Sequence, residues 1–173
     1  MENERMGAMY RVLQMVVYGV HGVCRILELE TKTVDHKLVD YYVLEPLAQP
    51  GTRYYIPSQN SAAMAKIRPL TERGRLEEMI RGDAQEAAWI PDENQRKQHY
   101  RRILASVDAG DLISMVRCVE THRQTRAQIG RKLHLCDENF LRDAKRVLTS
   151  EIAQVLQIEE KEVASLFTAS VSQ

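Results

Sequence analysis

Cysteine, glycine, proline and aromatic residues are all scarce in this chain of 173 residues. The 3 cysteines are odd in number and widely spaced, which favours reduced thiols over disulfides or a zinc site. Because free cysteine commonly behaves as a small buried hydrophobic residue, we expect Cys24, Cys118 and Cys136 to have structural roles.

Sorting and catalytic signatures are also missing from the sequence. The first residues lack the basic and apolar regions of a signal peptide, and no apolar run approaches the roughly 18 residues that cross a membrane. The histidines and cysteines show no metal-ligand spacing, and we find no nucleophile elbow or glycine-rich phosphate loop. We therefore expect a cytoplasmic protein that is not an enzyme and has no cofactor, metal or small-molecule substrate.

The whole chain has a formal net charge of zero, but one stretch of it is strongly basic. Basic and acidic residues number 24 each, yet residues 94–146 hold twelve basic and six acidic side chains, a net charge of +6. The preceding residues 71–93 hold three basic and seven acidic ones. A basic middle of this kind is what a polyanion-binding surface requires.

What the sequence does contain is a cluster of short extended runs rich in Val, Ile and Tyr within residues 16–60. Gly and Pro separate these runs, and polar residues 32–37 are predicted to connect the second strand to the third. The predicted strands are Tyr10–Tyr18, Gly22–Thr31, Leu38–Leu47 and Thr52–Ile56, with a short fifth at residues 67–69.

Beyond Pro69 the apolar periodicity becomes helical, as Leu76, Met79 and Ile80 illustrate. Gly130 is predicted to end the helix that Asp111 begins. The other predicted helix starts are Asp92 or Asn94, Asp137, and Glu159 or Glu160. The fold class is therefore α+β: a small N-terminal SH3/Tudor-like antiparallel β-barrel (residues 1–69), followed by a C-terminal all-α helical bundle (residues 70–173).

The ordered motifs resemble those of the CarD/CdnL family, whose N-terminal module is shared with the transcription–repair coupling factor. The resemblance covers about residues 10–167. In the first module it rests on Val17, Tyr18, His21, Gly22, Val23, Ile26, Glu30, the run Tyr41–Leu44, Tyr55, Ile56, Pro57 and Asn60. In the helical part it rests on Tyr100, Ile103, Leu104, Gly110, Asp111, Gly130, Leu133, the run Asp137–Leu141, Ala144, Leu148 and Glu151.

The resemblance implies a bacterial transcription regulator without catalytic activity. Family members bind the β subunit of RNA polymerase through the barrel. Their helical domain contacts promoter DNA at the upstream edge of the transcription bubble and stabilises the open complex. Such a protein would associate with the nucleoid through RNA polymerase.

Polymerase-contact positions of the family fall on Lys32 and Tyr55 in this sequence. The family often has arginine at both positions, so Tyr55 departs from its pattern. Arg53 lies on the same face of the predicted strand as Tyr55 and offers a guanidinium that can pair with a carboxylate.

DNA contact is expected from the helical domain. In the family a tryptophan wedges into the minor groove, but alignment on Tyr100 and Gly110 places that position at Arg96. Trp89, the only tryptophan, therefore either takes the wedge role after a local insertion or packs the domain junction. The residues expected to contact DNA are Trp89, Arg96, Lys97, Arg101, Arg131, Lys132 and Lys145.

An alternative function is a polymerase- or protein-binding module whose helices scaffold or oligomerise without contacting DNA. The balanced total charge favours this alternative, as does Glu138, which occupies a position where some family members carry lysine. Salt dependence separates the two functions, because phosphate contacts release counterions and weaken steeply as ionic strength rises.

Overall fold

The computed structural model describes residues 9–82 and 87–168, and it confirms the α+β class. The strands are β1 (Met15–Tyr18), β2 (Val23–Val34), β3 (Lys37–Pro46), β4 (Tyr54–Pro57) and β5 (Ile67–Pro69). They form an antiparallel sheet in the order β4-β3-β2-β1-β5.

The helices follow mainly after the sheet. They are α1 (Ser61–Met64), α2 (Arg73–Arg81), α3 (Glu93–Ser106), α4 (Ala109–Gln128), α5 (Leu135–Leu156) and α6 (Glu160–Thr168). None of the helices in the described ranges combines the length and the apolar character that crossing a bilayer requires.

The β2–β3 hairpin is longer than the sequence predicts. Pairing continues to Val34 and Lys37, so the polar stretch 32–37 is largely strand and not a loop. Asp35 and His36 alone form the turn, with φ angles of 49° and 62°. Positive φ at both central residues is the geometry that matches the twist of a two-residue hairpin. The predicted connection is therefore in the right place but too long, because neither residue is the glycine that usually marks such a turn.

The first strand begins at Met15 instead of Tyr10. A turn precedes it, in which the Gln14 amide donates to the Arg11 carbonyl at 3.1 Å and Leu13 has a φ of 67°. Tyr10 still contributes to the sheet, because its hydroxyl donates to the Ile67 carbonyl at 3.2 Å.

One face of the sheet encloses its own core, to which all five strands contribute. Alternate residues of each strand point inward, as the period of two requires. The buried residues of this core are Tyr10, Val16, Cys24, Ile26, Tyr42, Leu44, Ile56 and Ile67. Because β4 and β5 are both edges of the sheet, the curled sheet has an open seam between them.

The helices build a second core, and part of the sheet belongs to it. Val17 of β1 and Val23 of β2 pack with Leu112, Val147 and Leu148 of the helices. Cys118 is also buried, whereas Cys136 is half-buried. The sheet and the helices are therefore joined by shared apolar packing.

Short polar side chains fix where the helices begin. The Asp92 carboxylate accepts from the Gln95 amide at 2.7 Å, so Asp92 and not Asn94 caps α3. For α4 the cap is Asp108, which accepts from the amide of the predicted cap, Asp111, at 3.0 Å. Such a cap satisfies one of the backbone donors left open at a helix start. Gly130, with a φ of 69°, follows the end of α4 as predicted.

A buried ion pair ties the sheet to the helical core. Arg68 of β5 donates to both carboxylate oxygens of Glu151 in α5, at 2.7 and 2.6 Å. Its Nε also donates to the Val107 carbonyl at 2.7 Å, while the Thr71 amide donates to Glu151 at 2.8 Å. Glu151 is 0% exposed, so its charge depends entirely on these partners.

A second junction contact lies beside the ion pair. The Val23 amide donates to the Ser150 hydroxyl at 2.7 Å. Gly22 precedes it with a φ of 74°, and a Cβ there would lie 2.8 Å from Ser150 Oγ. Only glycine combines this backbone angle with so close an approach to α5.

We predict that Glu151→Gln lowers the free energy of unfolding by about 3 kcal/mol, because it leaves the Arg68 guanidinium without its buried counter-charge. Urea denaturation followed by circular dichroism measures this change. Glu77→Gln is the matched control, since Glu77 pairs with exposed Arg73 and Arg81, and it should cost less than about 1 kcal/mol. Equal losses in the two variants would contradict the role assigned to Glu151.

Candidate partner-binding surfaces

The polymerase-contact residues predicted from the sequence share one face of the sheet. Glu28, Val43 and Tyr55 form a row across β2, β3 and β4. Side chains two residues away in each strand lie on the same face as this row. We call this surface the docking face and define it by Glu28, Glu30, Lys32, Tyr41, Arg53 and Tyr55.

An aromatic and a cationic group contact each other at the centre of the docking face. The Lys32 ammonium lies 3.8 Å from the centroid of the Tyr55 ring, within the range of a cation–π interaction. The Tyr41 ring meets Tyr55 edge to face, with centroids 6.4 Å apart. Tyr55 is nevertheless 41% exposed, so a large part of its side chain is open to a partner.

The charges of the docking face are paired only loosely. Lys32 lies 3.6 Å from Glu30, and Arg53 lies 3.5 Å from Glu28. Exposed pairs of this kind contribute little to stability, so a partner can replace either one at small cost. The docking face therefore offers both signs of charge to a binding surface.

Beside the docking face, β4 presents an open main-chain edge. The Ser58 amide donates to the Asp40 carbonyl at 2.8 Å. This bond identifies which residue pairs of the β3–β4 ladder are hydrogen-bonded. Bonded and non-bonded pairs alternate in antiparallel ladders, so Tyr54 and Ile56 bond to β3 and Tyr55 does not. The Tyr55 amide and carbonyl therefore point to the open edge, where a strand from a partner can pair.

Trp89 is half-buried and packs against the core of the helical domain. Its ring stacks on His122 with centroids 3.5 Å apart and an interplanar angle of 9°. The Arg96 guanidinium lies over the same ring at 4.4 Å from its centroid. Of the two roles left open by the sequence, this geometry favours packing over the minor-groove wedge.

Arg96 does not form part of the exposed basic surface. It is 3% exposed, and it donates to Asp137 through two nitrogens at 2.9 and 3.0 Å. It also donates to the Ile90 carbonyl at 2.8 Å. The hydrogen bonds to Asp137 raise the pKa of Arg96 further, so its guanidinium stays charged. The DNA contact predicted for Arg96 would therefore require its release from Asp137.

Several other basic side chains of residues 94–146 bond to groups within the protein. Arg117 donates to the Ile80 carbonyl at 2.5 Å, and Arg126 donates to the Lys132 carbonyl at 2.7 Å. Lys97 pairs with Glu93, and Lys145 pairs with Glu120. The local excess of positive charge in the sequence therefore overstates the charge available to a polyanion.

The exposed cations that remain include Arg101 on α3 and a pair in the loop between α4 and α5. Arg131 and Lys132 are exposed, and neither has an ion-pair partner in the ranges that the structure describes. Two apolar side chains flank them: Ile129 is 66% exposed and Leu135 is 72% exposed. We call residues 129–135 the α4–α5 tip.

The residues expected from the sequence to contact DNA do not include Ile129 and Leu135. Each is an apolar residue in the polar stretch around Gly130. Lys97 lies at the same end of the bundle as this tip, because its partner Glu93 is also 3.9 Å from Cys136 at the start of α5. The tip therefore combines exposed cations with exposed apolar side chains, a pairing suited to phosphates and unstacked bases.

Both parts of the chain match known family models. Residues 10–70 match the CarD-like/TRCF RID domain, and residues 77–168 match the CarD C-terminal domain. The chain belongs to the CarD-like family. A search of curated proteins gives no match to it. As a CarD-like protein it is an RNA polymerase-interacting transcription factor, and the related families are regulators without enzymatic activity.

The Trp89–His122 stack predicts a pH dependence. Burial and the neighbouring charges of Arg126 and Arg96 lower the pKa of His122 below its ordinary value of 6.5. The unfolded chain therefore binds more protons than the native CarD-like protein as the pH falls below 6.5, and stability decreases there. We expect Trp89 fluorescence to change with a midpoint below pH 6.5 and the change to vanish in His122→Gln.

His21→Gln is the control for this titration. The pKa of His21 is also lowered, first by burial and then by Arg146 and Lys66, so His21 affects stability in the same direction. It stacks on Tyr18 and not on Trp89, so the fluorescence transition should persist in His21→Gln. A midpoint at or above 6.5 in the wild type would contradict the lowered pKa of His122.

Proposed function

We propose that this protein docks on the β subunit of RNA polymerase through residues 1–69 and contacts promoter DNA through residues 70–173. The DNA contact falls at the upstream edge of the transcription bubble and stabilises the open complex. The protein performs no catalysis, resides in the cytoplasm and joins the nucleoid through RNA polymerase. The observation that carries the proposal is the exposed Lys32–Tyr55 pair beside the open β4 edge, within the part of the chain that matches the RID domain.

The docking face supports a contact that combines main-chain and side-chain recognition. A strand of the β subunit that pairs with β4 would bond to the Tyr55 amide and carbonyl. Its side chains would then lie over Lys32, Arg53 and Tyr55. Main-chain pairing supplies affinity, and the mixed charges supply orientation and discrimination between partners.

The α4–α5 tip supports the contact with DNA. Within the described ranges Arg131 and Lys132 have no ion pair that phosphate binding would have to break. Ile129 and Leu135 can contact base edges or steps that are already unstacked at a bubble boundary. Arg101 and, after release from their carboxylates, Lys97 and Lys145 would extend the phosphate contacts. Trp89 and Arg96 are left out of this surface because they pack on each other.

A second candidate function is a polymerase-binding module whose helices scaffold or oligomerise without contacting DNA. The ion pairs of Lys97 with Glu93 and of Lys145 with Glu120 favour this candidate, because they neutralise charges that DNA would need. The two functions differ in the salt dependence of the promoter complex.

We predict that Lys32→Glu weakens binding to the purified β subunit by about tenfold or more, because it reverses a charge at the centre of the docking face and removes the cation over Tyr55. Isothermal titration calorimetry measures the affinity. Arg11→Glu makes the same kind of charge reversal at an exposed residue before β1, outside the docking face, and should leave the affinity unchanged. Equal effects of the two variants would refute docking through this face.

We predict that the double variant Arg131→Gln with Lys132→Gln shortens the open-complex lifetime on a weak promoter with the cognate polymerase. The logarithmic salt dependence of promoter-complex affinity should become shallower by about 0.9 for each phosphate that the protein no longer binds. Arg75→Gln with Lys161→Gln removes the same charge from α2 and α6 and serves as the control. A lifetime and salt slope equal to those of the wild type would favour the scaffolding function.

A further inference from the structure

A third surface lies between the sheet and α5, apart from the docking face and the α4–α5 tip. Three aromatic rings meet there: His21 stacks on Tyr18 at 5.2 Å between centroids, and Tyr54 lies 4.5 Å from His21. The Tyr54 hydroxyl and His21 Nδ1 are 3.2 Å apart, within hydrogen-bonding distance. His21 is exposed, whereas the two tyrosines are half-buried.

Two cations border these rings. Lys66 immediately precedes β5, and its carbonyl accepts from the Gly19 amide at 2.9 Å, which holds it beside the turn that carries His21. Arg146 approaches from α5. The Arg146 carbonyl lies 3.9 Å from the position that a Cβ on Gly22, the residue after His21, would take. Partial burial of the imidazole, and then the charges of Arg146 and Lys66, lower the pKa of His21.

The surface has a net positive charge with little internal neutralisation. Arg146 is 3.3 Å from Asp143, an exposed pair of low strength. Lys66 is exposed, and within the described ranges it has no ion-pair partner. We call Tyr18, His21, Tyr54, Lys66 and Arg146 the seam cluster, because it lies where the sheet is open between β4 and β5.

Packing accounts for only part of the seam cluster. Tyr18 and Tyr54 pack against the sheet core and help to close the open seam. That role does not require an exposed imidazole on their outer side, and it does not require two cations beside it. The cluster therefore presents one exposed aromatic ring next to positive charge.

We propose that the seam cluster binds single-stranded DNA, with one base stacked on the exposed His21 ring and the adjoining phosphates bound by Lys66 and Arg146. Proteins that bind single strands combine aromatic stacking platforms with cations that follow the backbone. The inference rests on the proposed contact with promoter DNA and deepens it, because it assigns a site for a strand that has left the duplex.

A single strand suits the cluster better than the other anionic partners. An acidic peptide would use Lys66 and Arg146 but would leave the aromatic surface uncovered. Intact duplex DNA offers phosphates, but its bases are stacked and cannot reach His21. Of these three partners, the unpaired strand is the one that supplies both a free base face and a phosphate in each repeating unit.

Fluorescence anisotropy of the full chain with a short labelled oligothymidylate tests the proposal. We expect His21→Ala to weaken binding at least about fivefold, because one base then has no ring to stack on. Lys66→Gln and Arg146→Gln should each reduce the logarithmic salt slope by about 0.7, the value for one phosphate of a single strand. Circular dichroism and thermal unfolding confirm that each variant is folded.

Arg75→Gln with Lys161→Gln is the control for general loss of charge and should leave oligothymidylate binding unchanged. His21→Ala should also leave affinity for duplex promoter DNA unchanged. Wild-type affinity for oligothymidylate in all three seam variants would overturn the seam site, while the proposed duplex contact would survive if duplex binding persists. If the seam variants lose β-subunit binding but keep oligothymidylate binding, the cluster is a protein contact and the proposal is wrong.

Discussion

The buried pair of Arg68 and Glu151 is the interaction on which the arrangement of this molecule depends. Glu151 is fully enclosed, and it accepts from both Arg68 and the Thr71 amide at the point where the chain leaves the sheet. Arg68 in turn bonds to the Val107 carbonyl at the end of α3. One carboxylate thus orients β5, the start of the helical domain and α5 with respect to each other. A charge so buried is tolerated only because all of these partners are in place.

Because the sheet and the helices share a core, the surfaces of the sheet keep a fixed position relative to those of the helices. Val17 and Val23 extend the helical core into the sheet, and the Val23 amide is bonded to Ser150. The docking face lies on the sheet and the α4–α5 tip lies on the helices, so a partner bound at the first determines where the second is presented. A regulator that touches both polymerase and DNA would gain affinity from this fixed geometry, since the second contact becomes intramolecular.

The sequence is informative wherever structure is decided locally. Asp92 is an example, because a capping residue acts on amides within three positions of itself, and Gly130 is another, because a positive φ favours glycine. The connection between β2 and β3 is predicted in the right stretch but too long, because Asp35 and His36 include no glycine to mark a two-residue turn.

The candidate sites are harder to predict because their contacts are distant in sequence. Arg96 meets Asp137 across 41 positions, and Arg68 meets Glu151 across 83. Neither pairing has a local pattern, so a buried arginine is indistinguishable from a surface charge until the fold brings its carboxylate to it.

The β4 edge also affects whether two copies of this protein associate with each other. An open strand edge attracts any other strand, including that of a second copy. Here the strand has only 4 residues and ends at Pro57, which has no amide hydrogen to donate. Two such edges can share too few main-chain bonds to hold together by backbone pairing alone. The short length of β4 therefore makes pairing selective. A partner strand binds stably only if its side chains also fit the side chains beside this edge.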